Sequence, residues 1–211
     1  MPIRRFLKWV GRIFGRKKRF RLAIYGSPNA GKTSLANRIS LEWTGKEMGT
    51  VSDIPHETRY VKRIKEVNII IGDREITIDL FDVPGISYKK DLTDQHYKTF
   101  LKHMSEAEAK QRVREAIRGV KSAVKILDLV DTALLVMDSA DDPYNPVNTL
   151  ILGALESRKI PVIIVANKTD LAEADTKLIK TVYADYPIVE LSAKKDKSLE
   201  PLYEAIAKHH K

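Results

Sequence analysis

Gly26-Ser27-Pro28-Asn29-Ala30-Gly31-Lys32-Thr33 constrains this chain more than any other stretch. It satisfies the pattern G-x-x-x-x-G-K-[ST] at every position. The apolar run Phe20 to Tyr25 precedes it, and Ser34-Leu35-Ala36-Asn37-Arg38-Ile39 can continue it as a helix. A strand, a glycine loop and a helix N-terminus, in that order, turn successive backbone N–H groups toward one point and attract phosphate. Gly26 and Gly31 permit backbone angles and close approaches that a side chain would block. Lys32 adds a point charge for the terminal phosphates, and the Thr33 hydroxyl is placed for Mg²⁺. The alternative is an ordinary glycine turn, and the flanking strand and helix weigh against it.

Asn167-Lys168-Thr169-Asp170 narrows the nucleotide. It follows Ile160 to Ala166, an apolar run suited to a strand covered on both faces. An Asp carboxylate can accept hydrogen bonds from both N1 and N2 of guanine. Adenine lacks that donor pair and would leave the carboxylate unanswered.

Taken with three further boxes, the chain resembles a TRAFAC-class GTPase of the Era-like group. The phosphate loop reads GSPNAGKTS, Gly26 to Ser34. Thr58, within Pro55-His56-Glu57-Thr58-Arg59, matches the switch I threonine. Asp82-Val83-Pro84-Gly85 matches the magnesium and γ-phosphate box. NKTD is the guanine box, and Ser192-Ala193-Lys194 the base-sensing box. The resemblance runs over residues 20–211. It implies an α/β P-loop NTPase fold of the Ras-like kind, with a mostly parallel sheet, one antiparallel edge strand and helices on both faces.

It also implies roles. The nucleotide would be held by Gly26, Ser27, Pro28, Asn29, Ala30, Gly31, Lys32, Thr33, Ser34, Asn167, Lys168, Asp170, Ser192, Ala193 and Lys194. Thr33, Thr58 and Asp82 would hold Mg²⁺, Asp82 through water. Lys32, Asn29, Thr58 and Gly85 would serve catalysis, with the Gly85 N–H on the γ-phosphate. A backbone N–H of Ser192-Ala193-Lys194 would meet guanine O6.

Composition bounds the rest. A chain of 211 residues, 43% hydrophobic, can build one full domain. With no cysteine, disulfides and thiol chemistry are excluded. No apolar run reaches the ~20 residues that span a bilayer, and the N-terminus lacks the continuous apolar core of a secretory signal. A cytoplasmic location is the expectation.

The net charge of +9 is localised. Arg4, Arg5, Lys8, Arg12, Arg16, Lys17, Lys18, Arg19 and Arg21 precede the first acid, Glu42. The remaining 28 of the 37 basic residues face 28 acids. The excess therefore belongs to an extension, residues 1–19, ahead of a near-neutral body, residues 20–211. Ile3, Phe6, Leu7, Val10, Ile13 and Phe14 fall within roughly 120° of a helical projection, with Trp9 at the edge and Arg4, Arg5, Lys8 and Arg12 opposite. A basic face opposed to Trp, Phe and Leu suits the surface of an anionic membrane. Packing on the domain's own core, and binding to RNA or a protein groove, are the alternatives.

Thr44 to Arg59 reads as the switch I loop. Val61 to Ile71 and Glu75 to Phe81 read as strands joined by a hairpin at Gly72-Asp73. Residues 86–130 exceed the matching part of Ras-like proteins. Within them, Ser105 to Glu108 fits a capping box, and Val113, Ile117, Val120, Val124, Leu127 and Val130 form one face of a long helix. An enlarged switch II offers a nucleotide-sensitive surface for an effector protein. Further along, strands are expected at 133–137 and 188–191, and helices at 147–157, 176–183 and 199–208. The terminal His209 and His210 carry no expected metal site.

Ras-type enzymes place Gln after the DxxG glycine to orient water, and this chain has Ile86. Slow hydrolysis follows. In Era-like relatives, Asn at the position of Asn29 helps bind K⁺, which would raise the rate; alternatively, Asn29 only stabilises its turn. The combined expectation is a slow GTP-hydrolysing switch at a membrane surface. The alternatives are an RNA- or ribosome-associated assembly GTPase, less favoured because no KH-type module follows the last box in this sequence, and a GTP-binding scaffold with negligible hydrolysis.

Overall fold

The computed structural model describes residues 19–44, 62–71, 74–82, 127–144 and 146–209. Strand β1 (Arg19–Tyr25) leads through the glycine loop into helix α1 (Lys32–Thr44). Strands β2 (Lys62–Ile71) and β3 (Arg74–Asp82) follow. The second half alternates β4 (Thr132–Asp138), α2 (Pro146–Glu156), β5 (Val162–Asn167), α3 (Thr176–Val182), β6 (Ile188–Glu190) and α4 (Glu200–His209). These elements meet the expected ones with ends moved by one or two residues.

The six strands form one sheet in the order β2-β3-β1-β4-β5-β6. The pairs β1–β3, β1–β4, β4–β5 and β5–β6 are parallel. At the edge, β2 runs antiparallel to β3, from Lys62 opposite Asp82 to Ile71 opposite Arg74.

The sequence dictates this layering. All six residues of β5, VIIVAN, are buried, as are six of the seven in β4. Strands apolar on both sides need cover on both faces. On one face, Leu22, Ile24, Leu80, Leu134 and Val165 meet Leu35, Ala36 and Ile39 of α1 and Leu202 and Ile206 of α4. On the other, Ala23, Phe81, Leu135 and Ile164 meet Ile151 and Leu155 of α2 and Ile179 of α3. Alternate residues of β1, β4 and β5 thus serve opposite cores.

A charged pair fixes the start of β1. The Arg19 guanidinium donates to both carboxylate oxygens of Asp79 on β3, at 2.7 and 3.1 Å. The Asp79 side chain is fully buried. Removing one partner of such a pair would strand a charge inside the protein.

One expected element differs at its end. The long helix was to run its apolar face through Val130, but Asp128 and Leu129 turn, and Val130 lies outside the helix. The cause is the entry to β4. Arg21 N–H donates to the Asp131 carboxylate at 2.9 Å, and Asp131 N–H donates to the Arg21 carbonyl at 2.9 Å. That pair of hydrogen bonds holds the chain onto β1. Val130 N–H closes back on the Leu127 carbonyl at 3.2 Å, and Leu127 is buried as expected. The rest of that helix, the amphipathic extension before Arg19, switch I with Thr58, the hairpin turn, and Val83 to Gly85 with Ile86 lie outside the described residues.

Candidate functional site

The described parts of the boxes converge at the carboxyl end of the sheet's strands. The glycine loop leaves the carboxyl end of β1, Asp82 closes β3, Asn167 closes β5, and Ser192 follows β6. The loop lies where the strand order reverses, with β3 on one side of β1 and β4 on the other. Open α/β sheets bind ligands at such a point.

The loop's backbone explains its glycines. Gly26 has φ +146°, and a Cβ there would sit 2.1 Å from the Val136 carbonyl oxygen. Gly31 has φ +91°, and its Cβ would meet the Asn167 amide nitrogen at 2.2 Å. Asn29 adopts φ +60° at the exposed tip of the loop. Asn tolerates this left-handed region better than most residues.

Lys32 is buried, and its ammonium donates to the Ser27 carbonyl at 2.6 Å. Burial pulls its pKa down from 10.5 to about 8, with nearby Asp82 opposing the shift. The Lys32 charge thus already spans the mouth of the loop. The Thr33 hydroxyl donates to an Asp82 carboxylate oxygen at 2.8 Å, and Asp82 is buried. A hydroxyl beside a carboxylate is a hard-oxygen donor set of the kind Mg²⁺ selects. One or two protein ligands suffice, because substrate phosphates and water complete its shell. These residues fit the ion.

Asn167 joins the two halves of the site. Its amide nitrogen donates to the Ala30 carbonyl at 2.8 Å, and its amide oxygen accepts from Ala193 N–H at 2.9 Å. The side chain is buried with donor and acceptor both satisfied, so losing it would strand two backbone groups. Within the base-sensing box, the Ala193 N–H is thus engaged by Asn167. Lys194, exposed beside it, offers the next N–H of the box.

Asp170 is exposed, and one of its oxygens accepts from the Ser192 hydroxyl at 2.6 Å. That bond holds its carboxyl below the usual range, helped by Lys195 and Lys194 nearby. An ionised carboxylate with one oxygen engaged keeps acceptor capacity for a base. Lys168 sits at φ +64°, and its ammonium pairs with Asp138 at the end of β4 at 2.6 Å. Of the three non-glycine residues in the left-handed region among those described, Asn29 and Lys168 lie in the expected nucleotide loops, and Lys159 lies in the turn before β5. Pro28 within the loop and Ser34 just after it are half-buried.

Sequence reasoning did not foresee the Asn167 bridge, the Lys168–Asp138 pair, or the grip on Ser192 by Asp196. Asp196 lies four residues after Ser192, a spacing that allows a carboxylate to cap the turn; that signal was legible.

The family model described as 50S ribosome-binding GTPase matches residues 21–168, which carry the phosphate loop, Asp82 and the start of the guanine box. The chain belongs to this GTPase family. Among curated proteins, this chain is 29% identical over 199 residues to the tRNA modification GTPase MnmE of Heliobacterium modesticaldum, covering 93% of this chain and 35% of that protein. It is 30% identical over 199 residues to GTPase Der of Mycoplasmopsis pulmonis, covering 89% of this chain and 39% of that one. It thus spans little more than a third of these relatives' length. Its fold is that of an Aquifex aeolicus Era variant solved with GDP and aluminium fluoride, with TM-score 0.67, 23% identity, and coverage of 92% of this chain and 57% of that one. A second Era structure, with MgGDPNP and a segment of 16S ribosomal RNA, matches with TM-score 0.66 at 22% identity over 93% of this chain and 58% of that one.

Proposed function

We propose that this GTPase binds GTP and GDP with Mg²⁺, hydrolyses GTP slowly, and acts as a nucleotide-dependent switch. The observation that carries the reading is Asp170, bonded by the Ser192 hydroxyl beside a phosphate loop that Asn167 ties to the same base loop. Lys32 and the loop N–H groups bind the phosphates. Asp170 orients guanine, and the Lys194 N–H is the donor for O6. Thr33 and Asp82 would hold Mg²⁺, together with Thr58 of switch I. When bound, the ion neutralises charge that develops on the phosphates. Gly85 and Thr58 would report the γ-phosphate to residues 86–130, where an effector would read it. Ile86 offers no group to orient water, and Asn29, exposed at the loop tip, is the candidate for a K⁺ ligand.

The supporting experiment is a comparison of affinities. GTP and GDP should bind far more tightly than ATP and ADP at constant Mg²⁺. Equal affinity for ATP would remove the guanine assignment.

For the extension, residues 1–18 with Arg19, the proposed partner is an anionic membrane, with a cytoplasmic protein held peripherally on the inner face. Its support is the sequence alone: an apolar arc and eight basic residues with no acid. A ribosomal or other RNA partner is the second reading. The ribosome-binding description of the matching family and the RNA-bound Era structure favour it.

A further inference from the structure

We propose that Arg38 and Asp196 form a strap behind the base loop that sets guanine selectivity by positioning Asp170. The inference deepens the guanine reading above and rests on it.

The strap is a continuous chain of hydrogen bonds across three elements. Arg38 lies on α1, less than two turns beyond Lys32. One of its terminal nitrogens donates to the Asp196 backbone carbonyl at 2.8 Å. Its Nε donates to Glu42 on the same helix at 2.9 Å. Glu42 in turn accepts from the Tyr203 hydroxyl of α4 at 2.7 Å. The guanidinium is therefore braced from both sides, and its side chain is only 22% exposed. An Arg held this way loses little freedom when it makes one more bond.

Asp196 passes the constraint on. Its carboxylate accepts from Ser192 N–H at 2.9 Å, and its own N–H donates to the Ser192 carbonyl at 3.0 Å. Residues 192–196 are thus closed into a tight turn whose far end Arg38 holds. Lys195 N–H donates to Ser192 Oγ at 3.0 Å. An ionised carboxylate cannot donate, so the Ser192 hydroxyl proton is committed to Asp170. The orientation of Ser192 fixes that of Asp170, and Asp196 with Arg38 fixes that of Ser192. Neither Arg38 nor Asp196 reaches the base; both are positioning residues.

The consequence is chemical. Guanine offers Asp170 two donors, N1–H and the 2-amino group, whereas hypoxanthine offers only N1–H. A fixed carboxylate can meet both donors of guanine at once. A loosened one forfeits most of the advantage of the second. Loss of the strap should therefore weaken GDP more than inosine diphosphate.

The test measures binding of GDP and inosine diphosphate to the full chain by calorimetry at constant Mg²⁺, with melting temperature recorded for each variant. Arg38→Ala and Asp196→Ala should each lower the GDP-to-inosine-diphosphate affinity ratio by about three- to tenfold, the size of one net hydrogen bond. Asp196→Asn retains an acceptor for Ser192 N–H and should keep most of the wild-type ratio. A purely structural role would lower both affinities equally, or lower the melting temperature with the ratio intact, and either result overturns the proposal. Arg38→Gln, milder than the Ala changes, supplies the ratio if those variants fail to fold. Failure of the wild type to prefer GDP over ADP would instead defeat the guanine reading itself.

Discussion

The Lys32 ammonium donates to the carbonyl of Ser27, 2.6 Å away in its own loop. The charge that should meet phosphate is thus provisionally satisfied by the loop it serves. Burial has lowered its pKa to about 8. Phosphate, being anionic, would raise it again.

The first prediction follows from that titration. Above about pH 8 the free protein has lost a proton that the complex keeps, so GDP affinity should fall as pH rises, by up to about tenfold per unit. The Lys32 side-chain NMR signal should titrate near pH 8 in free protein and higher with GDP. The stability of the free domain moves the other way. Between about 8 and 10.5 the unfolded chain holds the proton and the folded one does not, so this residue adds stability as pH rises. An ordinary midpoint for Lys32 in free protein would defeat the account.

Asp170→Asn tests base recognition. The amide keeps one acceptor but loses the charge, and it offers a donor suited to the 2-oxo group of xanthine. GDP should weaken by roughly ten- to a hundredfold, the range for a hydrogen bond to a charged group. Xanthosine diphosphate should gain. Unchanged preference in competition binding would contradict the proposed contact.

Asn29 is tested by salt. Replacing Na⁺ with K⁺ at fixed Mg²⁺ should speed single-turnover hydrolysis by about tenfold or more, which requires only about 1.4 kcal/mol off the barrier. Asn29→Ala should lose the response and keep GDP binding. Equal rates in the two salts would leave Asn29 with its turn role alone.

Two glycine substitutions should move stability in opposite directions. Gly26→Ala places a methyl 2.1 Å from the Val136 carbonyl oxygen, and that backbone sits mid-sheet. Denaturant unfolding should show a loss of roughly 1–3 kcal/mol or more. In contrast, a Cβ at Gly153, exposed on α2, meets nothing within 4 Å. Gly153→Ala should stabilise by roughly 0.5–1 kcal/mol.

The extension is tested by flotation with anionic liposomes. The structure decides where to cut. Arg19 is the partner of buried Asp79, so the deletion should end at Lys18. Wild type should float, and the deletion and the pair Phe6→Glu with Phe14→Glu should not. Binding by charge alone would survive the Glu pair in part and vanish in high salt. Should wild type float no better than the deletion, ribosomal RNA is the next ligand to try.

Residue types and spacing made the fold and most of the site legible. GSPNAGKT requires a strand and a helix around it, and the apolar runs at 133–137 and 160–166 need cover on two faces. Asp82 was legible for the same reason, being the first residue after an expected strand. The bonds of Asn167 to Ala30 and Ala193 were not legible, because they join residues 137 and 26 positions apart. No local pattern encodes such a pairing; only the sheet order brings β1, β5 and β6 together. The end of the long helix was misjudged because Val130 fits an apolar face as well as it fits a turn. What decides is Asp131 binding Arg21, 110 positions earlier.

The placement of β1 has a mechanical consequence. The strand that begins at Arg19 is not an edge but an interior one, laced to β3 on one side and β4 on the other. The β3 ladder begins at Arg19 and the β4 ladder at Leu22, so a pull from residues 1–18 along that strand would load the Arg19–Asp79 clamp and the β3 ladder first, with the β4 ladder behind them. The phosphate loop lies at the far end of the same strand, beyond both ladders.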